Sequence, residues 1–449
     1  MKEFLVYEKM LDEKHYHALR NELLEENPVD IAQLIENIPV DKAVLVFRML
    51  PKDMAAEVFA ELYSDAQKSL IGVLSDTEIH LIIEELFLDD AVDFIEEMPA
   101  SIAKKVLANA KVETRNEINR LLKYPVNSAG SIMTVEYVDL KREMTVRQSF
   151  DRIRMTGTDK ETIYTCYVTD SERRLEGIVT AKTLMLAERD EIIGDIMEDT
   201  NLILSDTLED REEVAHKFSK YDLLSIPVVD SEKRLVGIIT VDDIADVIEE
   251  EATEDFEKMA AMFPSEKPYL KTGILELSKN RIIWLIVLML SAMVTGGILS
   301  KFEHAIAALP LLVTFIPMLT DTGGNCGSQS STMVIRGMAL QEIKTRDILK
   351  VIWKEIRISV LCGFTLSVIN FVRVWLTYSN DPKRLGISLT VSISLIFTVI
   401  IAKLIGGILP IIAKKCKVDP AVMAAPLITT IVDALALVVY FAIASTLLL

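Results

Sequence analysis

Asp433 stands in the middle of the apolar run APLITTIVDALALVVYF. A carboxylate at that depth of a membrane costs a few kcal/mol if it meets lipid, so it must face water, hold a cation, or hydrogen-bond a neighbouring helix. Pro426, Thr429 and Thr430 just before it predict a loosened helix whose freed carbonyls add oxygen ligands. A second apolar stretch, PMLTDTGGNCGSQSSTMVIRG over 317–337, holds Pro317, Gly323, Gly324 and Gly327 together with Asp321, Asn325, Gln329 and Ser330. These residues predict irregular backbone lining a cavity. The combined lining is all oxygen, with few carboxylates. It suits a hard cation that keeps much of its water, as Mg²⁺ does. It does not suit a soft metal, because Cys326 is isolated and no His or Met cluster accompanies it. Asp419, after the Lys414–Lys417 run, is placed either to attract cations at an inner mouth or to cap a helix at Pro420.

A second set of carboxylates recurs at helical spacing in a more polar context. Asp243, Asp246, Glu250, Glu251, Glu254 and Asp255 form one stripe, Asp89 and Asp93 are an i,i+4 pair, and Asp210, Glu212 and Asp222 form a third group. Like charges this dense repel. They are either a solvated acidic face or ligands for divalent cations that bridge surfaces, closed with metal and apart without it.

The elements that must position these groups follow from charge and periodicity. The chain has 449 residues and a net charge of −19. Residues 1–270 hold 31 basic and 58 acidic side chains, and residues 271–449 hold 17 and 9. The first part is acidic and polar, and the second reads as membrane-embedded with basic loops. Such an acidic surface repels phosphate and argues against nucleic acid. Four scattered Cys, no HExxH and no GxxxxGK[ST] argue against a disulfide scaffold, a zincin and an ATP-driven pump. MKEFLVYEKMLDEKHYH lacks an apolar signal core, so the acidic part is expected to stay cytosolic.

Residues 27–122 divide into eight blocks of twelve, most opening on Pro, Ser or Asp and closing on an apolar residue. Each predicts one short helix and a turn, and such helices bury their apolar faces only by stacking into a superhelix. VTDSERRLEGIVT (168–180) and VVDSEKRLVGIIT (228–240) share nine of thirteen positions and resemble two tandem CBS domains. In that family a Thr and an Asp three residues on hold a nucleotide. Thr240 and Asp243 match, whereas the first copy has Thr180 and Thr183. Five apolar stretches follow, at 282–300, 304–335, 358–379, 385–413 and 420–449, each long enough to cross a bilayer. The basic residues gather before the first stretch and in the second and fourth loops. This predicts cytosolic N-terminal domains and an outside C-terminus.

This order of parts resembles the MgtE family of Mg²⁺ channels and transporters, most specifically in the Pro317–Gln329 and Pro426–Asp433 stretches. The resemblance implies a multidomain membrane protein: an acidic α-helical superhelix (1–128), an α/β tandem CBS pair (129–195 and 196–255), a connecting plug helix (256–278) and a five-helix α transmembrane domain (279–449). It implies a homodimer in the plasma membrane with the ion path on the two-fold axis. Asp433 is then the pore carboxylate holding hydrated Mg²⁺, with Asn325 alongside. Glu57, Asp89, Asp93, Asp210, Glu212, Asp222, Asp243, Asp246, Glu251, Glu254 and Asp255 fall where the family's cytosolic Mg²⁺ ligands fall, so intracellular Mg²⁺ would close the channel. ATP at Thr240 and Asp243 is left open as a second ligand. The partners expected are Mg²⁺, lipid and a second copy, with no nucleic acid or protein substrate and no enzymatic activity. The alternatives are a membrane-anchored CBS sensor, a carrier of Co²⁺, Mn²⁺, Ni²⁺ or Ca²⁺, and an intramembrane protease built on Asp321 and Asp433.

Overall fold

A computed structural model describes residues 2–265, 269–423 and 425–448, and the chain divides into two units, Met1–Ile248 and Glu249–Leu449. The first unit opens with α1 (Lys2–Asp12) and α2 (Tyr16–Leu23). Eight helices follow: α3 (Pro28–Asn37), α4 (Val40–Phe47), α5 (Lys52–Ala60), α6 (Ser64–Val73), α7 (Asp76–Glu85), α8 (Leu88–Glu97), α9 (Ala100–Asn109) and α10 (Val112–Leu121). Their first residues fall twelve apart, as the blocks of the sequence require. Pro39, Pro51 and Pro99 stand at N-caps in extended conformations that a helix interior would not allow. Ser75 closes a capping box with Glu78. Alternate helices pack together, α3 on α5, α5 on α7 and α7 on α9. Along this stack Phe59 meets Phe47 and Phe94 edge-on, with centroids 6.3 and 5.0 Å away.

The repeated motif then folds twice. The first copy comprises β1 (Asp139–Leu140), α11 (Val146–Thr156), β2 (Thr165–Thr169), β3 (Leu175–Thr180), α12 (Ala181–Leu186) and α13 (Ile193–Ile196). The second comprises β4 (Ser205–Asp206), α14 (Arg211–Tyr221), β5 (Ser225–Val229), β6 (Leu235–Thr240) and α15 (Val241–Met259), which continues into the second unit. Each sheet has a parallel first pair and an antiparallel second pair, with Val168 opposite Gly177 and Val228 opposite Gly237. The shared Asp-Ser turns are alike: Asp170 Oδ1 accepts from the Glu172 and Arg174 N–H groups at 2.8 Å, and Asp230 Oδ1 accepts from those of Glu232 and Arg234 at 2.9 Å. Arg173 and Lys233 both sit at φ 64°. The copies join reciprocally, with the Leu175 N–H donating to Lys233 O at 3.1 Å and the Leu235 N–H to Arg173 O at 2.8 Å.

The second unit contains α16 (Ile274–Lys301), α17 (Glu303–Ala308), α18 (Ile316–Ala339), α19 (Ile348–Thr377), α20 (Arg384–Lys415) and α21 (Ala425–Leu447). Among the described residues four helical stretches are long and apolar enough to cross a membrane: Ile274–Lys301, Thr345–Thr377, Arg384–Lys415 and Pro420–Leu447. The second of the five expected spans, α18, has 24 residues but is too polar to qualify by composition. It packs against α20 and α21, so it need not be apolar all round.

Two local expectations are corrected. The stretch 317–337 is one continuous helix, because Pro317 lies in its first turn, where no N–H is missed. The glycines serve close packing instead: a Cβ on Gly406 would lie 2.2 Å from the Gly327 carbonyl oxygen, and one on Gly323 would lie 2.8 Å from both Thr398 and Val432. The connecting helix expected over 256–278 is also not continuous, since α15 ends at Met259 and α16 begins at Ile274. Ala261, at φ 54°, turns the chain after α15. Residues 266–268 lie outside the described residues.

Candidate cation path and acidic cluster

Within α18, Asp321, Asn325 and Gln329 are one helical turn apart and exposed, while Gly323, Gly324, Cys326, Gly327, Ser330 and Ser331 are buried on the opposite side. The helix thus offers a polar ladder away from its own bundle. Asn325 Nδ2 donates to Asp321 Oδ2 at 3.2 Å, which ties the two side chains together along the ladder. Asp433 is half-buried on α21, and its neighbour Val432 packs against Gly323 and Gly327. The carboxylate therefore sits at the level of the ladder. Its helix is not loosened: Thr429 and Thr430 both donate their hydroxyls to Pro426 O, at 2.9 and 3.0 Å. That carbonyl is spent within the helix, and side chains supply the ligands.

Asp419 has two bonds already. Its Oδ1 accepts from the Ala421 N–H at 2.8 Å, the cap that Asp-Pro predicted. Its Oδ2 accepts from Lys258 Nζ at 2.6 Å. Lys258 also pairs with Glu254. Burial opposes the lysine's charge, but Asp419 and Glu254 outweigh it and hold its ammonium more firmly than usual. Asp255 alongside is pushed up to about 6 by burial and by Asp419. A tethered cation therefore occupies part of the carboxylate group that the sequence offered to a free one, so Asp419 is not an open ligand in this conformation.

The acidic groups of the first unit converge more than their spacing revealed. Asp89, 6% exposed, approaches Glu136 and Glu161 so that one carboxylate oxygen of each lies within 4.8 Å of the others. Glu161 Oε2 is buried with no hydrogen-bond partner, the state expected of an atom that lacks a cation or proton. Glu136 Oε2 accepts from the Leu88 N–H and the Thr134 hydroxyl, each at 3.1 Å. Burial is the first cause of every shift here. It raises Asp89 well above the ordinary range, with Asp243 adding to it. Glu161 is pushed to about 8, again with help from Asp243. Asp90 reaches about 7, with Asp243 and Glu61 contributing. Asp93 is also pushed up to about 7, with its side chain reaching solvent. Asp243 stays near 6 because Thr240 partly stabilises its charge. The Thr240 hydroxyl donates to Asp243 Oδ2 at 2.5 Å, so the two nucleotide candidates are bonded to each other. The first copy repeats this pairing between the Thr180 and Thr183 hydroxyls at 2.9 Å.

Other predicted ligands stand apart from this group. Asp210 caps the start of α14, accepting from the Glu212 N–H at 2.9 Å, and Asp222 closes its end in the left-handed conformation. Glu57 is exposed on α5, and one turn on, Glu61 is raised by burial and by Asp246. Glu251 lies in the second unit on α15. Sequence spacing missed Asp90, Glu136 and Glu161. Asp90 lay beside a chosen residue, but no periodicity links Glu136 and Glu161 to Asp89. Glu355 and Lys403 were also missed, although each is an ionisable residue inside a membrane-length helix.

Three family models match the chain: MgtE, described as divalent cation transporter, over 316–443; the MgtE intracellular N domain over 26–127; and the CBS domain over 193–250. The magnesium transporter MgtE of Thermus thermophilus is 36% identical over 98% of this chain and 97% of its own length. That of Bacillus subtilis is 33% identical over 95% and 93%. The cytosolic domain of the Mg²⁺ channel MgtE, solved in complex with ATP, aligns with 54% of this chain and 99% of its own, at 35% identity and a TM-score of 0.52. The soluble part of a magnesium transporter aligns with 56% and 98%, at 29% identity and a TM-score of 0.53.

Proposed function

The chain belongs to the MgtE family of divalent cation transporters, and from that premise we propose that it is a Mg²⁺-selective channel for uptake, held shut by cytosolic Mg²⁺. The observation that carries the reading is the polar ladder Asp321–Asn325–Gln329 exposed on a helix whose opposite side is buried in the bundle, with Asp433 at its level. Polar side chains in that position need water or a second polar surface. Two copies related by a two-fold axis would set ladder against ladder and enclose a hydrated path. In this proposal α18 is the second of five spans, the N-terminal domains are cytosolic and the C-terminus lies outside. Asp433 holds the hydrated ion, Asn325 adds a carbonyl oxygen, and Asp419 joins at the inner mouth once Lys258 releases it. Inward movement needs no coupled hydrolysis, since each positive charge gains about 2.3 kcal/mol per 100 mV.

The proposed sensor is centred on Asp89, with Glu136, Glu161, Asp90, Asp93 and Asp243 around it. Its support is the unpartnered oxygen of Glu161 and the crowding of carboxylates that only protons or divalent cations relieve. Glu57, Asp210, Glu212, Asp222, Asp246, Glu251, Glu254 and Asp255 are proposed as outer ligands, reached when another surface approaches. A nucleotide such as ATP at Thr240 and Asp243 would first have to open their mutual hydrogen bond. It would also need a divalent ion to screen its phosphates from the surrounding acids.

The test is Mg²⁺ influx into liposomes holding the full chain, with Mg²⁺ varied on the side of the soluble domains. Influx that falls as this Mg²⁺ rises supports both pore and sensor. Influx indifferent to it would sink the sensor, and no influx from folded protein would favour the membrane-anchored CBS sensor. Competition by Co²⁺, Mn²⁺ or Ni²⁺ at equal concentration decides ion identity.

A further inference from the structure

Three residues outside the proposed ligand set lie deep in the second unit. Glu355 on α19 is 8% exposed, Ser330 on α18 is 3% and Lys403 on α20 is 5%. Ser330 Oγ donates to Glu355 Oε2 at 2.6 Å. Lys403 Nζ donates to the same Ser330 Oγ at 3.4 Å. One hydroxyl thus bridges a buried cation and a buried anion. The room for the carboxylate is built in: a Cβ on Gly407 would lie 3.0 Å from Glu355 Cγ. A buried charge is disfavoured unless an opposite charge and hydrogen bonds compensate it, so the two must be considered together.

Lys403 faces a cavity of about 420 Å³ that is also lined by Thr322, Asn325, Gln329 and Thr365. Glu355 is not among its lining residues. Asn325 and Lys403 thus line one cavity, and the carboxylate that balances the lysine is joined to it through Ser330. Ionisable residues at membrane depth are costly and are kept where they act on an ion or its pathway.

We propose that Lys403 sets how tightly the cation route holds its ion: its fixed positive charge opposes a cation at Asn325, and Glu355, through Ser330, limits that opposition. The inference rests on the reading of Asn325 as part of the route. A divalent ion feels a fixed charge twice as strongly as a monovalent one. Lys403 thus offsets part of the attraction that the carboxylates of the route exert on a divalent ion, which lets a tightly held ion leave, as conduction requires.

A mere structural staple and a field-setting pair make opposite predictions. In liposomes holding the full chain, Lys403→Met lowers the Mg²⁺ concentration that half-saturates influx by roughly three-fold or more, and Glu355→Gln raises it by a similar factor. The double variant returns toward the parent value, and Lys403→Arg keeps it. Shifts of both single variants in the same direction, or lost influx at unchanged half-saturation, would overturn the proposal. Should Glu355→Gln fail to fold, Lys403→Met and Lys403→Gln carry the contrast, and an unchanged half-saturation in either counts against it. A parent chain that passes no cation overturns the route itself, an outcome distinct from variants that fail to diverge.

Discussion

At the scale of single residues, the same side-chain type has different work in different surroundings. Asp433 is half-buried in an apolar helix, while Asp210 and Asp222 hold the ends of α14. Asp433→Ala removes the carboxylate proposed to hold the hydrated ion. Loss of a charged partner on the order of 3 kcal/mol is a roughly 100-fold effect, so Mg²⁺ influx in liposomes is expected to fall at least that far with the fold intact. Asp89→Asn is expected to raise the Tm of the metal-free chain at alkaline pH, where it removes a buried charge from a like-charged group, and to abolish closing by Mg²⁺. Ser75→Ala should do the reverse: it loses the cap of α7, about 1 kcal/mol, and lowers Tm by a few degrees while closing by Mg²⁺ persists. Equal Mg²⁺ responses in the two variants would remove Asp89 from the sensor.

At the scale of elements, helix α18 is held by backbone approach rather than by large side chains. Gly323 and Gly327 lie on one face, and their neighbours on α20 and α21 come as close as a helix allows. Gly406→Ala places a methyl group 2.2 Å from the Gly327 carbonyl oxygen, and that oxygen cannot rotate away. The helices must separate, at a cost of about 1–3 kcal/mol. A lowered Tm and reduced influx are expected. Gly72→Ala is the control, since nothing lies within 4 Å of its Cβ position and alanine favours the helix. Similar losses in both variants would refute the close-packing account.

At the scale of the whole molecule, charge balance couples stability to protons and divalent ions. The carboxyl groups of Asp90 and Asp93 are pushed to about 7, Asp243 to about 6 and Glu161 to about 8, in each case by burial first. The unfolded chain titrates these groups near 4. The folded state therefore binds more protons between those values, and stability falls as pH rises through 6 to 8. Lys160, which favours the charged form of Glu136, offsets this only locally. Between pH 5 and 8.5, the metal-free chain is expected to lose on the order of 5 °C in Tm. Mg²⁺ should restore it at the alkaline end, where protons no longer compete for the oxygens. A Tm that rises with pH in the absence of metal would contradict the assignment.

The sequence by itself determined what depends on local order and periodicity. Blocks of twelve became eight helices starting twelve residues apart, because each cap and apolar face is encoded within its own block. The duplicated Asp-Ser turn folded twice alike, because its bonds run between residues two to four apart. Asp433 was legible as a charge out of place. The tertiary structure decided what depends on distance in space. It brought Glu136 and Glu161 to Asp89, linked Lys403 to Glu355 through Ser330, and occupied Asp419 with Lys258. It also turned the glycines of 317–337 from expected breaks into a packing face. Each of these contacts joins residues separated by tens of positions or more, and no spacing rule along the chain reaches that far.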